Sequence, residues 1–272
     1  MSPPNTRDPD DIDLLRRQTL GWLMGTGALA LGCGSTAGAL DAGTDAATGD
    51  AAACTPTPEG EIGPYFADDS DTRFNRSNIL SNLDGTNSQI GIPLTVTIFI
   101  VDGQKGCAPY PNAQVDVWHC NAAGVYSDQA VENTTTETWL RGYQLSDASG
   151  KLSFSTIIPG WYGGRTTHIH LRVRSSYSQA SSTSDGTNTT QLFFAQTFVD
   201  RLATGVAPYN AEGVNPTTNA GDRVYAQQEN GANLLALSGD DTTGYTAAVT
   251  IVLPITSNGA GGGEPPEGGP PV

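Results

Sequence analysis

Apolar and polar residues alternate with period two in six stretches of this chain: residues 94–101, 113–119, 151–157, 167–174, 191–199 and 246–253. That period puts the apolar set on one face of a β-strand and the polar set on the other. Gly, Pro, Asn and Asp punctuate the intervals, as turns between short strands require. The spacing predicts an all-β domain over residues 54–257, built as an antiparallel β-sandwich. The flanks read differently. Residues 34–53 are nearly all Gly, Ala, Ser, Thr and Asp, too poor in large apolar groups to offset the entropy of ordering, and residues 258–272 are rich in Gly and Pro. A disordered linker and a disordered tail are expected there. The chain shows no solenoid-type repeat, and no long amphipathic helix appears between residue 33 and the first strand.

Residues 1–33 have the pattern of an export signal. Arg16-Arg17 precedes the apolar run 20–31, which is too short for a membrane span. The arginine pair suggests the twin-arginine route, with an ordinary signal and a chance pair as the alternative. Cys33, after Ala30-Leu31-Gly32, is a candidate lipid-anchor site. The expected destination is the bacterial periplasm, the cell envelope or the medium. Charge narrows the partners: 28 Asp and Glu against 13 Lys and Arg give a net charge of −15, which repels phosphate backbones and argues against nucleic acid. Most of those carboxylates are expected on a solvated surface. Beyond Cys33 the chain has Cys54, Cys107 and Cys120, an odd number. A bridge between Cys107 and Cys120 is expected, with two buried, inert thiols as the alternative.

The strongest chemical signal lies in Thr167-His168-Ile169-His170-Leu171-Arg172-Val173. In a strand, Ile169, Leu171 and Val173 face one way and His168 and His170 the other, so two imidazoles converge. An isolated His-x-His is more often a pair of solvated side chains than a ligand pair, but the residues before it change the picture. Pro159-Gly160-Trp161-Tyr162-Gly163-Gly164-Arg165 adds a phenol and a guanidinium, and the two glycines allow the chain to turn back between Tyr162 and His168. The third histidine, His119, shares a strand face with Val115 and Val117 and is expected to be a packed or hydrogen-bonded core residue.

Pro-Gly-Trp-Tyr-x-Gly-Arg-x-x-His-Ile-His resembles the signature of the intradiol ring-cleavage dioxygenases, non-haem Fe(III) enzymes that open catechols between the two hydroxyl-bearing carbons. The resemblance continues in order along the chain, over about residues 54–255. It takes in Thr57-Pro58-Glu59 through Gly63-Pro64-Tyr65-Phe66, then Asp116-Val117-Trp118-His119-Cys120-Asn121-Ala122-Ala123-Gly124-Val125-Tyr126. Arg141-Gly142-Tyr143-Gln144, with Asp147 and Gly150, matches a hairpin leading into the signature, and Thr190-Gln191-Leu192-Phe193-Phe194 matches the strand after it. The resemblance implies a ferric ion held by Tyr126, Tyr162, His168 and His170, a catecholic substrate and O2. It also implies that Tyr162 leaves the metal to take up a proton and that Arg165 lies over the bound ring. Gln191 is expected to orient the oxygen or Arg165, and Tyr65 and Trp161 are weaker candidates for the pocket wall. Two imidazoles with two phenolates form a hard, anionic donor set that suits Fe(III), whereas zinc would more usually recruit cysteine, further histidine or carboxylate. Only residues 163–167 separate Tyr162 from the His-x-His pair, fewer than in the better-known catechol enzymes, so a more open pocket is expected. A non-catalytic binding module and a metalloprotein of another reaction class stay open as alternatives.

Overall fold

The computed structural model describes residues 54–67, 71–175, 188–229 and 231–254. The expected export signal, Cys33 anchor, linker and C-terminal tail lie outside the described residues. Among the described residues nine strands and two short α-helices follow in order: β1 (Pro93–Asp102), β2 (Ala108–Pro109), β3 (Gln114–Trp118), β4 (Arg141–Leu145), β5 (Lys151–Ile157), β6 (His168–Arg174), β7 (Asn188–Phe193), α1 (Gln196–Gly205), α2 (Arg223–Gln227), β8 (Ser238–Asp240) and β9 (Gly244–Leu253). They form two sheets. In the first, β5 and β2 pair with β1, which is followed by β9 and then β8; the second runs β4-β3-β6-β7. The alternation read from the sequence packs them together. Leu94, Val96, Ile98 and Ile100 of β1, with Leu152 and Phe154 of β5, meet Val115, Val117, Ile169, Leu171 and Val173 of the second sheet in one apolar core. The mostly β, two-sheet architecture is therefore the expected one.

Four details depart from expectation. The sandwich is not wholly antiparallel, because β9 runs parallel to β1 from Leu94↔Tyr245 to Asp102↔Leu253. The apolar run around Phe193 does not continue as a strand to residue 199. It ends at Phe193, and α1 takes over, burying Val199, Leu202 and Ala203 at helical spacing. The expected hairpin at 141–150 is a corner: a tight turn closes with Gly150 N–H donating to Asp147 O, but β4 then pairs with β3 and β5 with β1, in opposite sheets.

The fourth departure is the disulfide. Cys107 bonds to Cys54, with Cα atoms 5.8 Å apart, and Cys120 is a buried free thiol. Cys54 N–H donates to Gly103 O, which brings the start of the domain to the turn after β1. Cys120 instead packs with Tyr65, Trp118 and Tyr126, and burial pushes its thiol up to about 12.

His119 is the core histidine expected. One ring nitrogen pairs with Cys120 O at 2.8 Å and the other with Thr156 Oγ1 of the facing sheet at 2.7 Å. Burial lowers its pKa to about 4. The unfolded chain binds that proton near pH 6.5, so the contribution of His119 to stability is complete above that pH and is lost as pH falls toward 4, at up to about 1.4 kcal/mol per pH unit. His119→Gln is expected to flatten the acid limb of a thermal-denaturation midpoint plotted against pH by one proton's worth; an unchanged slope would show that His119 does not carry it.

Candidate metal centre

The second sheet buries both of its faces. One meets the core; the other carries the polar side chains of β6 and its neighbours. His168 lies opposite Phe193, and His170 lies between Trp118 of β3 and Gln191 of β7. The Trp118 indole stacks on the His170 ring, with centroids 4.8 Å apart and planes 7° from parallel. A lead-in segment covers this face, tied down where Thr57 N–H donates to Val252 O, Gly60 N–H to Thr189 O, and Gln191 Nε2 to Glu61 O at 3.0 Å. Gly63, at φ +71°, rides directly over the His170 ring: a Cβ there would stand 3.0 Å from His170 Cε1.

The His168 imidazole is oriented for donation. His168 Nδ1–H donates to Thr166 O at 2.6 Å, which leaves the Nε2 lone pair free. That nitrogen lies 3.0 Å from His170 Nε2 and 3.3 Å from the Tyr162 hydroxyl. Burial, followed by the Arg165 charge, lowers the His168 pKa to about 3, and burial with the neighbouring His168 holds His170 well below the ordinary value. Both rings are therefore neutral at physiological pH.

The two phenols complete the cluster. Tyr126 is fully buried, and its hydroxyl has no hydrogen-bond partner. An orphaned buried hydroxyl costs about 1–3 kcal/mol unless a ligand satisfies it. The Tyr126 backbone is held on both sides, its N–H by the Glu132 carboxylate and its carbonyl by Thr134 Oγ1 at 2.6 Å. Arg141 is also buried. It donates to Ser127 Oγ at 2.7 Å, Ser127 O at 2.6 Å and Tyr65 O at 2.6 Å, and its guanidinium lies 5.9 Å from the Tyr126 ring centre. Tyr162 reaches the same centre from a neighbouring loop, 5.5 Å from the Tyr126 ring and 5.7 Å from the His168 ring. Gly124 (φ +79°) permits the two loops to touch, since a Cβ there would lie 2.0 Å from Trp161 O. Burial raises both phenols above the ordinary tyrosine value, with the neighbouring Tyr162 adding to the effect at Tyr126.

The other sequence candidates fall in different places. Tyr65 joins the cluster, stacked on Tyr126 at 4.2 Å and edge-on to Tyr162 at 5.3 Å. Trp161 stands apart, with its indole N–H donating to Gly213 O at 3.0 Å. Gln191 holds Arg165, whose Nη2 donates to Gln191 Oε1 at 2.5 Å, while Arg165 Nε donates to Asp222 Oδ2 at 2.8 Å. Burial alone would raise the Asp222 carboxyl, but Arg165 and the N–H groups of Tyr225 and Thr166 outweigh it and hold it below the usual carboxylate range. Sequence reasoning missed Asp222, Glu132 and Arg141. Of these only Asp222 had a local signal, as the cap of α2, and that signal says nothing of Arg165.

The donor set fits a ferric ion. An orphaned phenol, a second phenol and two neutral imidazoles with facing Nε2 atoms supply hard oxygen and borderline nitrogen donors. Among the described residues no three His, Cys, Asp or Glu side chains gather as a metal-binding group, so no cysteine- or carboxylate-rich alternative competes.

A family model described as "Dioxygenase" matches residues 62–207. Catechol 1,2-dioxygenase of Candida albicans is 30% identical over 155 residues, which are 49% of this chain and 48% of that protein. Catechol 1,2-dioxygenase of Acinetobacter baylyi is 36% identical over 67 residues, 25% of this chain and 20% of that protein. The chain thus aligns with about half or less of the length of these curated relatives. Among solved structures, an intradiol ring-cleavage dioxygenase from Tetranychus urticae superimposes with a TM-score of 0.60 at 25% identity, covering 74% of this chain and 95% of that one. The dioxygenase domain of a carbohydrate-binding fusion protein from Streptomyces sp. SirexAA-E gives 0.51 at 27% identity, covering 74% of this chain and 100% of that domain. With a family model spanning more than half of the sequence and a fold shared along nearly the whole of these two structures, the chain belongs to the intradiol ring-cleavage dioxygenase family.

Proposed function

We propose that this chain holds non-haem Fe(III) through Tyr126, Tyr162, His168 and His170 and cleaves a catecholic ring between its two hydroxyl-bearing carbons, inserting both atoms of O2. The observation that carries the reading is the convergence of the partnerless Tyr126 hydroxyl, the Tyr162 hydroxyl and the facing Nε2 atoms of His168 and His170 in one buried cluster. Bound ferric iron would supply a Lewis acid that lowers the pKa of catechol hydroxyls and prepares the ring for O2.

The chain's own groups divide the remaining work. Tyr126 is locked by Glu132, Thr134 and the stacked Tyr65 ring, which suits a permanent donor. Tyr162 is only half-buried and is followed by exposed Gly163 and Gly164, which suits a phenol that swings away and holds a proton from the substrate at Oη. The neutral imidazoles stay fixed, His168 by Thr166 O and His170 beneath Trp118. Arg165, held by Asp222 and Gln191, presents a fixed positive charge where anionic character develops on the ring. Arg16-Arg17, the apolar run 20–31 and Cys33 support export to the cell envelope or beyond, with Cys33 as a candidate lipid anchor.

The test is oxygen uptake by iron-loaded protein with catechol, hydroxyquinol and protocatechuate, together with its visible spectrum. A tyrosinate-to-iron charge-transfer band and substrate-dependent uptake are expected. Tyr162→Phe should shift or weaken the band and slow turnover by about 10²- to 10⁴-fold, the usual worth of a positioned acid or base. A colourless protein, or Tyr162→Phe with an unchanged band, overturns the reading, and colour without oxygen uptake identifies a binding module instead.

A further inference from the structure

Asp222 has no solvent exposure on its side chain and accepts four N–H donors. Oδ2 takes Arg165 Nε and the Thr166 backbone N–H, both at 2.8 Å. Oδ1 takes the backbone N–H groups of Val224 at 2.8 Å and Tyr225 at 2.9 Å, capping α2. The lone-pair capacity of one carboxylate is filled. Two of these contacts lead into the candidate centre by separate routes: Arg165 continues to Gln191, and Thr166 is the residue whose carbonyl fixes the His168 tautomer. A second anchor joins the same helix to the lead-in segment, where Arg223 pairs with Glu61 at 2.5 Å and 2.8 Å. Residue 222 also lies beyond the stretch matched by the family model, which ends at residue 207.

We propose that Asp222 is a positioning residue for the ring-cleavage reaction, a carboxylate supplied by the segment after α1 that fixes the Arg165 guanidinium in its catalytic orientation and braces the Thr166 carbonyl behind His168. This rests on the function proposed above. The negative charge is essential to the arrangement. Asparagine has the same shape but only one acceptor oxygen, so either rotamer turns an NH2 group toward two N–H donors. Arg165 then loses its ionic partner and keeps only Gln191, and a guanidinium free to rotate stabilises developing charge poorly.

The experiment is a double-mutant cycle on the iron-loaded full chain with Asp222→Asn, Arg165→Ala and their combination, plus Asp222→Glu. Asp222→Asn is expected to lower kcat about 10²-fold with the resting charge-transfer band retained, and the double variant should be slower than Arg165→Ala by clearly less than that factor, the remainder reporting the route through Thr166. Asp222→Glu should recover part of the loss. Independently of turnover, the Arg165 Nε–H should be protected from solvent exchange by NMR in the parent protein and lose that protection in Asp222→Asn. Additive losses in kcat, or an Nε–H equally protected in the variant, overturn the proposal. An Arg165→Ala protein with parental kcat instead removes the catalytic role of Arg165, and the exchange measurement alone then decides whether Asp222 positions it. Should Asp222→Asn fail to fold, Asp222→Glu carries the same cycle, with a smaller loss of kcat, reduced protection and non-additivity expected, and additive losses or unchanged protection counting against the proposal.

Discussion

His168→Ala is expected to leave the protein folded but nearly free of iron, with oxygen uptake on catechols at least about 100-fold lower. Loss of a partner that merely orients a metal ligand already costs about 10- to 100-fold in affinity or activity, and here a proposed donor itself is removed. The His168 side chain is buried, its Nδ1–H satisfied by Thr166 O, and its Nε2 faces His170 Nε2 and the Tyr162 hydroxyl. Alanine leaves that carbonyl without its donor and opens a gap beside Phe193, but the core beneath is built from Ile169, Leu171 and Val173 on the other face of β6 and stays intact. The iron-to-protein ratio and the visible spectrum read the outcome. His119→Gln is the control, since His119 pairs with Cys120 O and Thr156 on the core side and should keep its iron. A His168→Ala protein with full iron and parental colour would refute the assignment of this ligand.

The second large effect concerns stability. Replacing Cys54 and Cys107 with serine is expected to cost about 4 kcal/mol, because the bridge closes a loop with a sequence separation of 53 and its loss restores that freedom to the unfolded chain. For a domain of this size that lowers Tm by about 8–16 °C. The effect reaches the site as well. Cys54 begins the segment that runs through Thr57, Gly60 and Glu61 to Gly63 and Tyr65, so its release loosens the strap over His170 and the ring stacked on Tyr126. Calorimetry with and without reductant measures the first consequence, and the rate of iron loss to a chelator measures the second. Identical melting in both conditions would show that the bridge contributes nothing. Alkylation of the unreduced domain should find Cys120 as the one free thiol among the described residues, and only after unfolding, since the thiol is buried.

The strands were legible wherever the period-two pattern was built from β-branched and aliphatic residues. Residues 94–101 and 167–174 show this, because alternation alone decides which side chains face the core. What alternation cannot report is the partner of a strand. The parallel union of β1 with β9 joins residues about 150 positions apart, and the Cys54–Cys107 pairing depends on the path of the lead-in segment in space. The start of α1 was hidden because Leu192, Phe193 and Phe194 form a continuous apolar run with no marked period, and the helical spacing emerges only from Val199 onward. At the centre, the two histidines followed from the strand itself. Tyr126 could be selected from nine tyrosines only by its motif. Asp222 lies 57 residues beyond Arg165 and meets it only after the segment following α1 has folded back.

The place of β9 in its sheet bears on the biosynthesis of the protein. An interior strand, gripped by β1 on one side and β8 on the other, leaves the ribosome after β1 through β8. Until residues 244–253 emerge, β1 exposes an open edge and Leu94, Val96 and Ile98 lack the cover of Ala247 and Ile251. A nascent chain halted before residue 244 should therefore remain protease-sensitive throughout, and the proposed centre on the second sheet should take up iron only once β9 has been made.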